Sequence, residues 1–430
     1  MRIERKRLFD TFEHVAVIGG GVMALASALA LQRAGLKVIL YDEAAATQPA
    51  SWGNAGHIAI EQVEPLASPQ ILRSAWRRMF FNGGPADFRL RDMSAWLPWL
   101  LRFANACRPS TFRSGARALE ALLSDATPAW TRLLSAIGQP ELLKQHGHMV
   151  LWESEASAAA GLAAWTRTPI GNASFDRLDA AALSDPARPL PIDAAGGICF
   201  SGTSQIADLG VLLQAMRRRF EDNGGEVRLS RVAALSVENG VARLTLANGE
   251  RVARCGLVMA AGIGSAPLMR DIGHIVPLIA ERGYHIEGDA GSWPRHLPPV
   301  VFEDRSMIVT RFGNRLRAAS FTEFARPSSP PDKKKWQRLH RHAADLGLPL
   351  GEPVTQWMGA RPTFPDYLPA LGVSYRCSNL IYAFGHQHLG LTLAPVTAEI
   401  VAGLAMSRPP PIDLLPFDIE RFVTRKRRTY

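Results

Sequence analysis

Val15-Ala16-Val17-Ile18, then Gly19-Gly20-Gly21-Val22-Met23-Ala24, then an alanine-rich stretch, then Val38-Ile39-Leu40-Tyr41-Asp42: this run reads as strand, glycine turn, helix and strand, closed by an acid. Such a unit is built to hold a dinucleotide. Gly19 allows the tight turn, Gly21 lets the backbone approach a pyrophosphate, and Ala24 is a permitted variant of the third glycine. The anion would sit on the open N–H groups at the helix start. Asp42 falls where a carboxylate takes the ribose hydroxyls, about 20 residues along the motif, and Glu43 follows it. The reading is an α/β protein with a Rossmann-type nucleotide domain.

An alternative reading of the same end is a signal peptide or short anchor, because Arg2, Arg5, Lys6 and Arg7 precede an apolar stretch from Val15 to Leu31. That stretch is shorter than the roughly 20 residues a span needs, and three consecutive glycines interrupt it. Polar and aromatic residues from Asp10 to His14 also separate it from the basic cluster. No segment reads as a transmembrane helix.

The chain has 430 residues, 47% hydrophobic and 20% charged, enough for a large core and two domains. Cys107, Cys199, Cys255 and Cys377 are far apart and form no CxxC pair, so neither a zinc cluster nor a disulfide framework is expected. The chain reads as a reduced, cytoplasmic protein. Its net charge of +10 is partly gathered at the ends, in residues 2–7 and in Arg425-Lys426-Arg427-Arg428. Basic tails can attract an anionic membrane surface or nucleic acid. No nucleic-acid motif accompanies them, so solvated ends or peripheral membrane contact are the readings kept.

Beyond the first unit, residues 68–187 carry Leu, Ala, Trp and Arg at helical spacing, as in Trp96, Trp99, Leu100 and Phe103, which predicts a helical insertion. Gly147 to Trp152 marks a strand within it. A helix is expected from Asp208 to Phe220, then a meander of Glu226–Val237, Val241–Leu246 and Arg251–Cys255, with Asn239-Gly240 and Asn248-Gly249 as its turns. Leu257 to Gly262 reads as a buried strand ending in small residues. Met307–Arg311 and Arg315–Ala319 form a hairpin, with Arg311, Arg315 and Arg317 expected on one solvated face. A basic helix follows from Lys333 to Leu346, and αβ character returns from Leu380 to Met406. The nucleotide domain is therefore assembled from separated segments.

The order of these pieces resembles the FAD-dependent D-amino acid oxidase superfamily, and within it the D-amino acid dehydrogenase branch. Ser51-Trp52-Gly53-Asn54-Ala55-Gly56-His57 resembles that family's Ser-x-x-Asn-Ala-Gly segment under the flavin. Ile308 to Arg317 looks like a strand hairpin of the branch. Gly359-Ala360-Arg361-Pro362-Thr363-Phe364-Pro365-Asp366 resembles its Gly-x-Arg-Pro-x-x-Pro-Asp segment, and Gly385-His386-Gln387-His388-Leu389-Gly390-Leu391-Thr392 its Gly-His-x-x-Leu-Gly turn. The resemblance implies a glutathione reductase-like FAD domain from residues 14–67, 208–274 and 355–420. It also implies a mixed or antiparallel-sheet substrate domain from 68–207 and 275–354, with tails 1–13 and 421–430.

Carried over by position, it implies FAD contacts from Gly19, Gly21, Met23, Asp42 and Glu43. Ser51, Asn54, Ala55, Gly56, Val232, Ala261, Gly262, Gly385, Gly390, Leu391 and Thr392 would make further ones. Arg361 would hold the substrate carboxylate, a role that suits a planar fork of donors; on the residues alone, pairing with Asp366 is the alternative. His57 is either a substrate contact or a packed structural histidine. Tyr284, Tyr367 and His388 are candidate pocket walls. A metal on His386 and His388 is not expected, since no acidic or cysteine neighbour completes a ligand set.

The implied reaction is hydride transfer from Cα of a D-amino acid to flavin N5, giving an imine and then a 2-oxo acid plus ammonia, without a side-chain base. Electrons would pass to a quinone or other acceptor. FAD would be non-covalent, because no cysteine lies near Gly359 to Pro362. The alternatives are a cyclic imino acid such as a D-hydroxyproline, sarcosine or glycine as substrate, and a catalytically silent flavin-binding protein.

Overall fold

The computed structural model describes residues 8–43, 48–178, 183 and 193–423. Both basic runs, at 2–7 and 425–428, lie outside the described residues. The strand His14–Ile18 forms as read, and Val15 to Ile18 are all buried because helices cover one face of its sheet and a small three-stranded sheet packs on the other. It pairs in parallel with Val38–Asp42 on one side and Cys255–Met259 on the other. Glu226–Leu229 lies beyond Val38–Asp42, and Leu380–Phe384 and then the antiparallel Ala370–Val373 lie beyond Cys255–Met259. The crossover helix Val22–Arg33 is buried from Val22 through Leu31. An amphipathic stripe is absent there because the helices Leu209–Asp222 and Gly390–Ala405 pack around it.

Residues 226–237 are not one meander strand. The chain leaves the parallel sheet after Leu229 and re-enters as Val232–Glu238, the first strand of a separate three-stranded sheet with Val241–Leu246 and Arg251–Val252. Leu235, Leu244 and Val252 of that sheet share a core with Ile39 and Leu257. The last strand expected there also breaks, so that Cys255–Met259 belongs to the parallel sheet.

The second layer is a nine-stranded mixed sheet. Its order is Gly351–Thr363, Ile279–Asp289, Arg315–Ala325, Met307–Phe312, Val300–Phe302, His148–Trp152, Gly196–Ser201 and Ser174–Leu178, with Ala86–Phe88 beside Arg315–Ala325. Most pairs are antiparallel; Val300–Phe302 with His148–Trp152, and Arg315–Ala325 with Ala86–Phe88, are parallel. Gly351–Thr363 runs in this sheet along its whole length and so straddles residues 354 and 355.

The helices Pro109–Leu123 and Ala126–Ala136 join the core around Gly390–Ala405, and the Trp130 indole N–H donates to the Leu391 carbonyl at 3.2 Å. Residues 387–405 are long and apolar enough to cross a membrane, which the sequence reading overlooked, but the stretch is 72% buried. It is the core helix of the nucleotide layer. Among the described residues no disulfide forms.

Candidate active site

A cavity of about 1370 Å³ runs between the two sheets, from Asp42 at one end to Arg361 and His388 at the other. Its nucleotide end follows from the glycine turn. Gly19 has φ +124°, and a Cβ there would lie 2.5 Å from the Ala260 carbonyl oxygen. At Gly20 a Cβ would meet the Asp42 carboxylate at 1.9 Å. The close approach to the chain thus falls on Gly19 and Gly20, whereas a Cβ at Gly21 would meet nothing nearer than Ser51 Oγ at 3.5 Å. Gly21 precedes a helix with no acidic residue in its first turn and no side-chain cap; the Val22 N–H donates to Ser51 Oγ at 3.3 Å. Those N–H groups and the helix dipole face the cavity as an anion site. Burial raises the Asp42 carboxyl. Glu43 stands 3.8 Å from Arg231, next to Val232, which lines the cavity at a register shift of its strand. Met23 lines the cavity but is otherwise packed in the core.

The loop Ser51–Gly56 crosses the middle of the cavity under an unforeseen clamp. Arg317, expected on a solvated face, is only 2% exposed: it donates to the carbonyls of Trp52 at 2.9 Å and Asn54 at 2.6 Å. It pairs with Glu287 at 2.7 Å and lies over the rings of Trp52 and Phe312. Arg315 pairs with Asp208 and Glu287, and Arg311 donates to the Gly313 and Trp293 carbonyls. The solvated-face reading fails at Arg317, because the strand Arg315–Ala325 is interior to its sheet and covered there by this loop, while Arg311 and Arg315 are half-buried. His285 adds a second hold, its Nδ1 3.1 Å from the Gly53 carbonyl and its ring stacked on Trp357. Burial pushes the His285 imidazole down to about 3, with Arg317 adding to the effect.

Within the loop, Asn54 Oδ1 accepts from the Gly56 N–H at 2.8 Å. Ser51, Asn54 and Ala55 line the cavity, whereas Gly56 packs beneath it against Phe312. Ala261, Gly262, Gly385, Gly390 and Leu391 also line it. Thr392 lies behind this wall, where its Oγ1 accepts from the Ala59 N–H at 3.0 Å.

At the far end Glu281 and Arg361 are direct cross-strand partners, and Arg361 Nη1 reaches Glu281 Oε1 at 3.1 Å. Gly283 shares the face of Glu281, two residues on. The Arg361 guanidinium occupies the space its side chain would fill, with Nη2 2.3 Å from a Cβ built there. Asp366 is bound by Arg421 at 2.6 Å, so the Asp366 pairing does not occur. Glu281 also accepts from Thr363 Oγ1 at 3.0 Å and from the buried Tyr367 hydroxyl, which burial and then Glu281 push well above its ordinary range.

His57 lines the cavity, with Nε2 3.1 Å from buried Glu61 and its ring 4.4 Å from that of His148. Burial acts to raise the Glu61 carboxyl; His57 and His148 overcome it and hold it at about 2. Burial pushes His148 down to about 3. The ligand atoms of these three lie within 4.8 Å of one another, a carboxylate–imidazole cluster that sequence reasoning missed. His388 contacts Gln62 Oε1 at 2.7 Å and is held by burial at about 4, while His386 contacts Thr397 at 3.1 Å. Tyr284 contributes to the lining, but its hydroxyl donates to Glu323 at 2.6 Å.

Glu281, Gly283, His285, Arg317 and Glu61 therefore joined the site only once the strands were paired. A signal for three of them was present in Ile279-Ala280-Glu281-Arg282-Gly283-Tyr284-His285, charged and glycine positions inside a strand that is buried up to its last residue, Asp289. The cavity suits a long cofactor with an anionic middle: a glycine cradle and open helix N-terminus at one end, a clamped loop along its length and a cation at the other. These residues fit FAD.

Comparison with known proteins agrees. A family model described as FAD dependent oxidoreductase matches residues 14–404. A D-amino-acid oxidase of Bradyrhizobium diazoefficiens is 30% identical over 420 residues, 95% of this chain and 99% of that one. A D-amino acid dehydrogenase of Cereibacter sphaeroides is 28% identical over 425 residues, 96% of each. Among solved structures, iminodiacetate oxidase from Chelativorans superposes with a TM-score of 0.70 at 18% identity, covering 94% of this chain and 98% of the other, a likeness of fold.

Proposed function

The chain belongs to the FAD-dependent oxidoreductase family, and on that premise we propose that it oxidises a D-amino acid at Cα, giving an imine that water converts to a 2-oxo acid and ammonia. The observation that carries the reading is the cationic end of the cavity, where Arg361 rests against Glu281 and over Gly283 with its side chain 30% exposed. A guanidinium so fixed grips a carboxylate with paired donors and determines where the neighbouring Cα–H points. Bound FAD supplies the two-electron acceptor for the departing hydride. Orientation by Arg361 and exclusion of water by the cavity walls are the chain's own contribution.

The substrate amine must be neutral to release a hydride, so the rate rises toward alkaline pH. His388, held at about 4, adds no positive charge beside that amine at neutral pH. FAD is held without a covalent bond: no cysteine is among the described lining residues, and burial pushes the Cys107 and Cys255 thiols up to about 11. The electron acceptor is a quinone or similar respiratory carrier. The protein works in the cytoplasm at the inner face of the membrane and has no nucleic-acid partner. The division into an FAD unit of 14–67, 208–274 and 355–420 and a substrate unit of 68–207 and 275–354 belongs to the same reading, with its last boundary moved from 355 to 363, where the strand Gly351–Thr363 ends.

The test is anaerobic mixing of the flavoprotein with D-amino acids, a D-hydroxyproline, sarcosine and glycine. Bleaching of the flavin band by D-amino acids is expected. Arg361→Ala should raise KM about 100-fold, the worth of a charge-assisted pair, with FAD retained. A band unbleached by every D-amino acid sinks the substrate assignment, and an unchanged KM sinks the role of Arg361.

A further inference from the structure

Eight of the fourteen large apolar side chains exposed among the described residues fall between Leu66 and Leu101, a density far above scattered surface exposure. Leu90, Met93, Leu97 and Leu101, spaced by three, four and four, form one stripe along the 3-10 turn Leu90–Asp92 and the helix Met93–Ala106. The opposite side of that helix is already used, since Trp99, Phe103 and Ala106 are buried in the fold. Trp76 and Phe81, 70% and 61% exposed, meet edge to face at 5.1 Å, so these two aromatic rings lean on each other and stay largely open to solvent.

Charge in the segment is one-sided. Residues 66–102 hold six arginines and two aspartates. Both acids are engaged inward: Asp87 accepts from Lys335 at 2.6 Å, and Asp92 is buried and accepts from Ser329 at 2.6 Å. Arg73, Arg77, Arg91 and Arg102 are exposed around the apolar residues. Apolar and aromatic side chains ringed by unopposed arginines match the boundary between acyl chains and anionic headgroups. A second copy would set these arginines against their own equivalents, which disfavours self-association.

We propose that the surface formed by residues 66–102 seats the protein on a bilayer containing anionic lipid. Ser68, Gln70, Ile71 and Arg78 of the same segment line the cavity, so the seated surface borders its mouth. A lipid-phase electron acceptor then reaches the cavity without crossing water; that consequence alone rests on the acceptor assigned above.

The test is flotation of the full-length holoenzyme with vesicles of phosphatidylcholine alone or with phosphatidylglycerol at a third of the lipid. Binding to the anionic vesicles is expected, at least ten-fold weaker for Leu90→Glu/Leu101→Glu and for Trp76→Glu/Phe81→Glu, with turnover by a soluble dye unchanged. Neutralising Arg425 to Arg428 with glutamine separates the tail from the surface. Failure of the wild type to float overturns the proposal. So does binding that survives both glutamate pairs but is lost with the tail charges, or a dimer that the glutamate pairs dissociate. If the protein floats as expected yet a vesicle-borne quinone is not reduced, the acceptor assignment fails and the docking surface stands.

Discussion

Gly283→Ala tests the substrate site through a residue that carries no functional group. An added Cβ would sit 2.3 Å from Arg361 Nη2 and 2.7 Å from its Cζ. Ordinary contact is about 3.5 Å, so the guanidinium must withdraw by about 1 Å. The clash is with the end of a flexible side chain, so the fold yields without breaking. Removing a glycine from an extended strand also lowers the entropy of the unfolded chain, worth about 0.4–1 kcal/mol in the native state's favour. The loss therefore falls on carboxylate binding. One hydrogen bond to a charged group is worth about 1.5–3 kcal/mol, which predicts a fall in kcat/KM of about 10- to 150-fold, mostly in KM. Steady-state kinetics with a soluble dye, flavin content and a denaturation midpoint measure the three quantities together. Arg361→Lys, which removes the fork, should give a similar defect, and the double variant should lose less than the sum because both act on one contact. A kcat/KM within two-fold of wild type, at equal flavin content, would refute the cradle argument.

Gly19→Ala combines the positive φ with a contact on backbone oxygen, and the purified variant should carry less than about a tenth of the wild-type FAD by absorbance; full occupancy contradicts the cradle. Arg317→Met leaves the Trp52 and Asn54 carbonyls without their donor and removes one partner of buried Glu287. A loss of about 3 kcal/mol is expected in chemical denaturation, and an unchanged midpoint would show the clamp to be idle. Stability should also fall on acidification. His148 and His285 are held near 3 and His388 near 4, so below pH 6.5 the unfolded chain takes up protons that the native state refuses. Each such imidazole costs up to about 1.4 kcal/mol per pH unit until its folded pKa is reached. Glu61, held at about 2, adds to the loss between pH 4.5 and 2. A midpoint that is flat from pH 7 to 5 would contradict the buried neutral imidazoles.

Legibility followed the range of the interactions. The unit from Val15 to Asp42 was readable because its turn, helix and strands are contiguous. Helix limits held closely where a cap lay next to them in sequence: Asp208 accepts from the Val211 N–H at 3.0 Å, and Asp332 from that of Lys334 at 3.1 Å. Readings failed where an unseen layer decided exposure. Arg317 looked like an exposed strand residue until the 51–56 loop covered it. Lys335, in a helix read as basic, is fully buried against Asp87, Glu323 and Asp332. Residues 387–405 looked like an ordinary αβ return and proved to be the core helix.

The sequence alone picked out the glycine turn before a helix and the short motif around Arg361, because both are local patterns. Tertiary structure decided what each group does there. Strand register sets Glu281, and not Asp366, opposite Arg361; sheet layering buries Arg317 against the 51–56 loop; and the packing of His57 and His148 against Glu61 holds that carboxyl low. Partners far apart in the chain are chosen by register and layer, and neither is written in the residues that pair.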